Sequence, residues 1–298
     1  MNKESVKQKI AILLFPVLKI YNFFQAKKYD ASISNTMDSL KVLAESNFSI
    51  SRFGDGEFDL ISGKELKFQK SDSELSRRLK EILEIKEQHQ NVKIAIPCVY
   101  KYLNEFNKKS QIFWIMYFRK NRKSIFSLLN KKYQYFDSQI TRIYINRKNK
   151  KQSEIYFNLW KKIWNDKDLL IVEGEKNRFG VGNDLLGSTR SIKRILCPPE
   201  NSFQKYNEIF DAIKNNASGR LVLLILGPTA TVLSYDLSAL GIRALDIGNL
   251  DMEYEWFLRN VSQRVKIEGK YSIEVAGGTD VRANENAEYV SQILCVIK

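Results

Sequence analysis

The chain has 298 residues, of which 44% are hydrophobic and 12% aromatic, so it can bury a large core and is not globally disordered. Its formal net charge of +14 at pH 7 implies an acidic partner: a phosphorylated substrate, an anionic membrane surface or nucleic acid. Its three widely spaced cysteines exclude a disulfide framework and a C-x-x-C zinc site, and they favour a reducing cytoplasm.

The N-terminal residues 1–28 combine apolar side chains at helical spacing with lysines around them. Their uninterrupted apolar run, residues 10–18, is too short to cross a bilayer, which needs about 20 residues, and no signal-peptide cleavage site follows it. The segment is either an interfacial amphipathic helix that binds an anionic membrane and is dispensable for folding, or a helix packed on the body of the protein. The apolar positions at helical spacing are Val6, Ile10, Leu13, Val17 and Phe24.

A strand is predicted to end at Arg52, because Phe48 and Ile50 alternate with polar residues before the turn Arg52-Phe53-Gly54-Asp55-Gly56-Glu57, in which two glycines allow a sharp change of direction. Open α/β sheets bind their ligands at such carboxyl ends of strands. Two carboxylates and a guanidinium on one short turn suit a divalent cation that bridges a diphosphate. The alternative is a local role, with Asp55 as a cap and Glu57 in the first turn of the next helix.

Around this turn the chain alternates as helix, strand, helix, strand, with helices predicted over 35–46 and from a capping-box sequence at 71–74, and a buried strand over 92–96. Residues 101–167 differ, because basic residues are interleaved with aromatic ones. This pattern is typical either of nucleic-acid binding or of helices whose aromatic faces are buried and whose lysines are solvated. We favour the helices, since no nucleic-acid-binding motif is present, and we expect no specific nucleic-acid partner.

From residue 168 onward, strands alternate with helices. Strands are predicted over 169–172, 192–196, 221–226 and 244–247, helices over 203–213 and 227–240, and a final helix or strand within 279–298. Such alternation predicts an α/β fold with a Rossmann-like, doubly wound and mainly parallel sheet. No Pro-, Gly- or Ser-rich linker divides the chain, so residues 29–298 are expected to form one domain that contains the insertion 101–167.

Two further strand ends carry groups that suit phosphate. After the strand over 169–172, a glycine-rich turn places Lys176 and Arg178 where they could clamp phosphate oxygens, unless the turn is only a charged surface loop. After the strand over 221–226, Gly227 allows close approach, and the following helix amides with the Thr229 and Thr231 hydroxyls form an anion site.

A fourth strand end is acidic. Asp246 closes a strand, and Asp251, Glu253 and Glu255 follow closely. Crowding raises the pKa of at least one such carboxyl unless a cation or basic groups share the space, so one could act as a general base toward an acceptor hydroxyl. The single histidine, His89, lies in a polar stretch and is expected in solvent, which leaves proton transfer to carboxylates.

Five blocks of sequence occur in chain order: Arg52-Phe53-Gly54-Asp55-Gly56-Glu57, Ile171-Val172-Glu173-Gly174-Glu175-Lys176, Gly180-Val181-Gly182-Asn183-Asp184, Leu226-Gly227-Pro228-Thr229-Ala230-Thr231-Val232-Leu233 and Asp246-Ile247-Gly248-Asn249-Leu250-Asp251-Met252-Glu253-Tyr254-Glu255-Trp256. Together they resemble the GT-D type glycosyltransferases, a bacterial family long described as a domain of unknown function with a DXE motif. The similarity extends from residue 34 to residue 271. In this family a histidine usually stands where this chain has Asn249.

The resemblance implies a transferase that moves a sugar, glucose or a close relative, from a UDP-sugar to a glycan, a glycoprotein or a lipid-linked acceptor with the help of a divalent cation, Mn²⁺ or alternatively Mg²⁺. We expect Asp55 and Glu57 to hold the cation, and one of Asp246, Asp251, Glu253 and Glu255 to serve the acceptor. The residues expected to bind the nucleotide sugar are Arg52, Gly54, Asp55, Glu57, Glu175, Lys176, Arg178, Asn183, Gly227, Thr229 and Thr231. The expected location is the cytoplasm, peripheral to the inner face of the membrane.

Two other functions remain as alternatives. One is a basic protein that binds nucleic acid or a membrane surface without catalysis, and the other is a nucleotidyl- or phosphotransferase on the same fold. Thermal stabilisation by UDP would argue against the first alternative, and release of free UDP would argue against the second.

Overall fold

A computed structural model of the protein describes residues 12–85, 91–282 and 286–298, so Val6, Ile10 and His89 lie outside the described residues. Within the described part, eight strands form one sheet in the order β3-β2-β1-β7-β6-β4-β5-β8, and all its pairings are parallel. The strands are β1 Ser49–Arg52, β2 Val92–Ile96, β3 Phe136–Asp137, β4 Asp168–Gly174, β5 Ser191–Cys197, β6 Leu221–Ile225, β7 Ala244–Asp246 and β8 Ile293–Val296. This sheet confirms the predicted doubly wound α/β fold.

Alternate side chains of a strand point to opposite faces of the sheet, so an apolar strand needs both faces covered. Helices pack on both faces here. The helices are α1 Phe15–Lys28, α2 Thr36–Glu45, α3 Asp55–Ile61, α4 Ser73–Glu84, α5 Lys108–Leu128, α6 Gln152–Trp164, α7 Tyr206–Asn216, α8 Pro228–Ala239, α9 Leu250–Leu258 and α10 Ala287–Gln292. On one face, Leu223 of β6 shares a buried cluster with Trp160 of α6. On the other face, Val222 and Leu224 share a second cluster with Leu233 of α8.

The basic, aromatic insertion is built into the fold as helices. Trp114 and Phe118 of α5 are buried, and Trp160 and Trp164 of α6 are buried and stacked on each other. The exposed residues of α5 include Arg119, Lys120 and Lys123. The structure therefore agrees with the interpretation of buried aromatic faces and solvated basic side chains. At the C-terminus, where the sequence left helix and strand open, the chain forms both α10 and β8.

The N-terminal helix α1 packs on α5. Leu18 of α1 shares a buried cluster with Ile112 and Ile115, and the Arg122 guanidinium donates a hydrogen bond to Asn22 Oδ1 at 2.5 Å. One side of α1 thus has the contacts of a helix packed on the protein body. None of the helices among residues 12–85, 91–282 and 286–298 combines the length and the apolar character that crossing a membrane requires.

The strand order reverses between the neighbours β1 and β7. From β1 the chain proceeds to β2 and β3 at one edge, whereas β7 borders the other half, which contains β6, β4, β5 and β8. In a parallel sheet all carboxyl ends lie at the same edge, and ligand sites form outside such a reversal. The segments that follow these strands therefore converge on one place.

Candidate active site

A cleft of about 360 Å³ lies at this reversal of the strand order. Its walls are the segments that follow β1 and β3 to β7, the connection between α3 and α4, and residues 271–274. Predicted site residues that line the cleft are Arg52, Gly54, Asp55, Glu57, Gly227 and Asp246. The structure thus brings together three of the four strand ends that the sequence analysis selected, each through at least one predicted residue.

Arg52 ties the ends of three strands together in the wall of the cleft. Its Nε donates to the Asp246 carbonyl at 2.6 Å, and its Nη2 donates to Asp246 Oδ1 at 2.8 Å. Its Nη1 donates to the Ser138 carbonyl at 3.1 Å and to Thr141 Oγ1 at 2.6 Å. Burial raises the pKa of Asp246, and the Arg52 charge opposes this effect. Most N–H groups of the Arg52 guanidinium therefore already donate hydrogen bonds within the protein. The main role of Arg52 is to fix the positions of the strand ends that form the site.

Gly248 leaves the space that the Arg52 side chain fills. Its φ is +46°, and a Cβ atom at this position would lie 2.4 Å from Arg52 Nη2. We expect Gly248→Ala to displace the guanidinium and to lower the free energy of unfolding by about 1–3 kcal/mol, with a parallel loss of UDP binding. Thermal denaturation and UDP titration measure both effects.

The control for backbone strain alone is Gly63→Ala, because Gly63 has a φ of +81° but no atom within 4 Å of its missing Cβ. This variant should lose stability and keep UDP binding. Equal losses of UDP binding in the two variants would contradict the role given to Gly248.

The D-x-E turn begins α3, with Gly54 as the N-cap. Glu57 lies in the first turn, as the local alternative expected, and its Oε2 accepts a hydrogen bond from the Gly54 amide at 2.7 Å. Asp55 is the first residue of the helix and not its cap, which corrects the other half of that alternative. Burial raises the pKa of Glu57 to about 7. Neither glycine of the turn has a positive φ, which corrects the expected reason for their presence. They provide space instead: a Cβ at Gly54 would lie 3.3 Å from Glu57, and one at Gly56 would lie 3.1 Å from Leu66.

The donor set of this turn fits a hard cation that takes part of its coordination from a substrate. Asp55 is exposed in the cleft, and Glu57 Oε1 accepts no hydrogen bond from the described residues. Those residues contain no group of three or more His, Cys, Asp and Glu side chains that could hold a metal ion. Mg²⁺ and similar cations are commonly bound by one or two carboxylates, with phosphate oxygens and water as the remaining ligands.

A second charged network in the cleft was not predicted from the sequence. Glu274 accepts hydrogen bonds from Arg142 Nη1 and Nη2 at 2.9 Å and 2.5 Å and from Asn249 Nδ2 at 3.0 Å. Burial by itself would raise the pKa of Glu274, but Arg142 and Arg264 outweigh burial and hold the pKa below its ordinary value. Asn249 therefore fixes a carboxylate in the cleft wall, and its amide side chain does not titrate.

The turn after β4 reaches the cleft through Asn177, which the sequence analysis did not select. Asn177 lines the cleft and donates through Nδ2 to the Ile225 carbonyl at 3.1 Å. Arg178 is buried and donates to the Gly269 carbonyl at 2.9 Å and to the Arg282 carbonyl. Four residues after β4 that were predicted to bind the nucleotide sugar do not line the cleft: Glu175, Lys176, Arg178 and Asn183. Their proposed contacts with a nucleotide sugar remain predictions, and Arg178 has a structural role in holding two loops.

Two carboxylates of α9 share cationic and amide partners away from the cleft lining. Lys270 Nζ lies 2.5 Å from Asp251 Oδ2 and 3.3 Å from Glu255 Oε1. Asn183 Nδ2 donates to Asp251 Oδ1 and Glu255 Oε1, at 2.8 Å in each case. Lys270 thus relieves the expected repulsion between the two carboxylates.

Glu253 holds the segment after β3. Its Oε2 accepts the amide hydrogens of Tyr144 and Ile145, each at 2.8 Å, and the residue is fully buried. Burial raises the pKa of Glu253, against the effect of nearby Arg142. Of the four carboxylates predicted to serve an acceptor, Asp246 is the one that lines the cleft.

The amino end of α8 borders the cleft through Gly227. This glycine has a φ of +55°, and a Cβ there would lie 2.6 Å from the ring of Phe68, so the aromatic ring covers the start of the helix. Thr231 Oγ1 donates to the Arg52 carbonyl at 2.9 Å. Thr229 is buried, and its Oγ1 has no hydrogen-bond partner among the described residues. The positive end of the helix dipole favours an anion. Pro228 has no amide hydrogen, however, and the Ala230 amide donates to the Gly227 carbonyl at 2.9 Å.

An all-parallel sheet with a charged cleft at the reversal of its strand order defines a doubly wound α/β protein that binds its ligand at this point, and many nucleotide-binding enzymes have this architecture. Within that class, the profile of the family described as "Glycosyltransferase GT-D fold" matches residues 50–275. The chain therefore belongs to the GT-D fold glycosyltransferases, which confirms the resemblance seen in the sequence.

Related proteins agree with this assignment. The chain is 40% identical over 263 residues to "Probable glycosyl transferase Gly" of Streptococcus gordonii and 35% identical over 260 residues to "Glycosyltransferase GlyD" of Streptococcus pneumoniae serotype 4. These matches cover 88% and 87% of this chain but 38% and 32% of the two relatives, so the chain spans about a third of their length.

Solved structures show the same fold. One is described as "The highly conserved domain of unknown function 1792 has a distinct glycosyltransferase fold"; it has a TM-score of 0.87 and 36% identity, and the match covers 93% of this chain and 100% of that one. A second, described as "A New Glycosyltransferase (DUF1792) from Streptococcus sanguinis", has a TM-score of 0.86 and 39% identity, with 90% and 100% covered.

Proposed function

We propose that this protein transfers a sugar, with glucose as the first candidate, from a UDP-sugar to an acceptor hydroxyl. The observation that supports the proposal is the cleft, which combines the carboxylates of Asp55 and Glu57 with the amino end of α8 in a member of the GT-D family. The positive end of the α8 dipole and the cationic Arg142 suit the negative charge of a diphosphate. The cleft volume of about 360 Å³ lies within the usual range of small-molecule sites.

The proposed cofactor is Mn²⁺ or Mg²⁺, held by Asp55 and Glu57. When bound, such a cation would neutralise the charge that develops on the departing UDP. The residues of the chain have separate tasks: Arg52 keeps the strand ends in place, and Arg142 and the start of α8 attract the phosphates. Asp246 is the proposed carboxylate at the acceptor, because it is the one member of the predicted acidic group that lines the cleft.

The acceptor that we propose is a glycan, a glycoprotein or a lipid-linked acceptor, met in the cytoplasm at the inner face of the membrane. A donor screen that detects released UDP, with and without an extract that contains acceptors, tests the reaction directly. Release of UDP only when both a UDP-sugar and an acceptor are present is the expected result. Transfer of a nucleotidyl or phosphoryl group without free UDP would support the other transferase reaction instead.

Binding of the donor nucleotide can be tested without an acceptor. A ligand that binds the folded state alone stabilises it by about 2.7 kcal/mol at a concentration of 100 times its Kd. We expect UDP with Mn²⁺ to raise the melting temperature, and we expect EDTA to remove this effect. Salt-dependent binding to nonspecific DNA without any effect of UDP would favour a non-catalytic basic protein.

A further inference from the structure

The N-terminal helix α1 has two apolar sides, and the protein body uses one of them. The inner side packs on α5 through Leu18, and Asn22 accepts a hydrogen bond from the buried Arg122 side chain. Because an α-helix has 3.6 residues per turn, Leu18 and Asn22 lie on the same side of α1. The contacts of the inner side therefore fix the rotation of α1, and its opposite side faces away from α5.

The opposite side of α1 carries a stripe of exposed apolar side chains, which we call the outer stripe. It consists of Val17, Ile20 and Phe24, whose spacing of three and four residues places them along one line of the helix. Their exposed fractions are 64%, 61% and 63%. Contiguous exposed apolar residues of this size, unlike scattered ones, indicate a surface that contacts a partner or a membrane.

The two helices that form this surface carry basic side chains and no acidic ones. The 14 residues of α1 contain three lysines, the 21 residues of α5 contain six lysines and arginines, and neither helix contains Asp or Glu. Lys27 and Lys28 form the end of α1, and Lys108 Nζ lies 5.5 Å from the centre of the Phe15 ring. By helical periodicity, the exposed Arg119 and Lys123 lie on the side of α5 that carries Ile112 and Ile115, the side next to α1.

We propose that the outer stripe binds the surface of an anionic lipid bilayer while the inner side of α1 stays packed on α5. Apolar side chains on a helix can enter the boundary between headgroups and acyl chains, and flanking lysines attract anionic headgroups. The same charge opposes a second copy of the chain as the occupant, because pairing two outer stripes would bring two sets of cationic side chains together. The proposal identifies the surface of the protein that would bind the membrane, and it does not depend on which sugar donor the protein uses.

Binding in this manner would place the cleft about two helix widths from the lipid. Tyr117 lies on the side of α5 opposite to Ile112 and Ile115, and its hydroxyl donates to the Asp55 carbonyl at 3.1 Å and to Asp59 Oδ1 at 3.0 Å. Because the outer stripe faces away from α5, α1 and α5, each about 10 Å wide, together separate the lipid from the turn that carries Asp55. An acceptor that extends about 20 Å from the membrane surface would reach the site.

Sedimentation of the full chain with vesicles tests the proposal. We expect the chain to bind vesicles that contain both phosphatidylglycerol and phosphatidylcholine. Its binding to vesicles of pure phosphatidylcholine should be at least about tenfold weaker, and its binding to the anionic vesicles should decrease as the salt concentration is raised. The combined variant Val17→Gln, Ile20→Gln and Phe24→Gln should bind the anionic vesicles at least about tenfold more weakly, because three apolar side chains no longer enter the lipid. The variant Lys27→Gln with Lys28→Gln should also bind about tenfold more weakly.

The matched control is Leu240→Gln with Leu258→Gln, since these leucines are 53% and 50% exposed and lie at the ends of α8 and α9. It should bind vesicles as the unmodified chain does. The outer-stripe variant should keep its melting temperature and its stabilisation by UDP, which separates this proposal from the proposed reaction. The proposal is overturned if the unmodified chain does not bind anionic vesicles or if the outer-stripe variant binds them equally well. A chain that is dimeric in light scattering and becomes monomeric in that variant would identify the stripe as a self-contact and also overturn it.

Discussion

Replacing Glu57 by glutamine should remove metal-dependent donor binding and leave the fold intact. The amide oxygen of glutamine can still accept the Gly54 amide hydrogen, so the start of α3 keeps its hydrogen bond. The substitution removes one of the two carboxylates proposed to hold the cation. Loss of a group that merely supports a metal ligand costs about 10–100-fold in metal affinity, so loss of a ligand should cost at least about 100-fold. Calorimetric titration of UDP with and without Mn²⁺ measures the effect.

Two controls make this result specific. Glu65→Gln is the same chemical change at an exposed position in the connection between α3 and α4, outside the cleft lining, and should bind UDP normally. Glu253→Gln alters a buried carboxylate outside the cleft and should leave Mn²⁺-dependent UDP binding unchanged in protein that folds. Full Mn²⁺-dependent binding by the Glu57→Gln protein would remove the metal role from this residue.

The fold could be predicted from the sequence because its signals are local. Buried strands such as β4 and β6 appear as apolar runs, and their alternation with helices implies parallel pairing. The order of the strands could not be predicted, because the position of β7 beside β1 depends on contacts between residues far apart in the chain. The two-residue strand β3 carries too few residues for any periodic pattern.

The candidate site could be predicted only where its residues follow recognisable strands. Asp55, Glu57, Gly227 and Asp246 met this condition, and they line the cleft. Arg142 did not, because it follows the short strand β3 inside the insertion. Glu274 lies in an irregular segment that lines the cleft, and no local sequence pattern indicates that this residue belongs to the site.

The second acidic group shows a different limit of sequence analysis. Four carboxylates close in sequence indicated shared chemistry, yet consecutive positions on a helix point in different directions. Asp251 and Glu255, four residues apart, do share Lys270. Glu253 points elsewhere and binds backbone amides. Proximity in the sequence thus predicted that these carboxylates share one environment. The helix instead places Glu253 in a different environment from Asp251 and Glu255.

The strongest single effect on stability is expected at the buried pair of Glu173 and Arg194. Arg194 Nη1 donates to Glu173 Oε1 at 2.5 Å, and Glu173 Oε2 accepts the Phe179 amide at 2.7 Å. Both charged side chains are almost completely buried at the carboxyl half of β4 and β5. Arg194→Met keeps an apolar stem but leaves an uncompensated buried carboxylate, so we expect a loss of about 3–5 kcal/mol in the free energy of unfolding. Urea denaturation of both proteins at neutral pH measures it.

The loss in Arg194→Met should depend on pH in a direction that follows from the Glu173 carboxyl. Burial already raises the pKa of Glu173 while Arg194 opposes the rise, so removing Arg194 should raise it further. Between the ordinary pKa and this raised value the folded variant binds more protons than the unfolded chain, and its stability therefore falls as pH increases. The difference from the unmodified protein should be larger at about pH 8 than at about pH 5, and adding Glu173→Gln should remove this dependence. If the difference is the same at both pH values, Glu173 is already protonated beside Arg194 and the pair is not ionic.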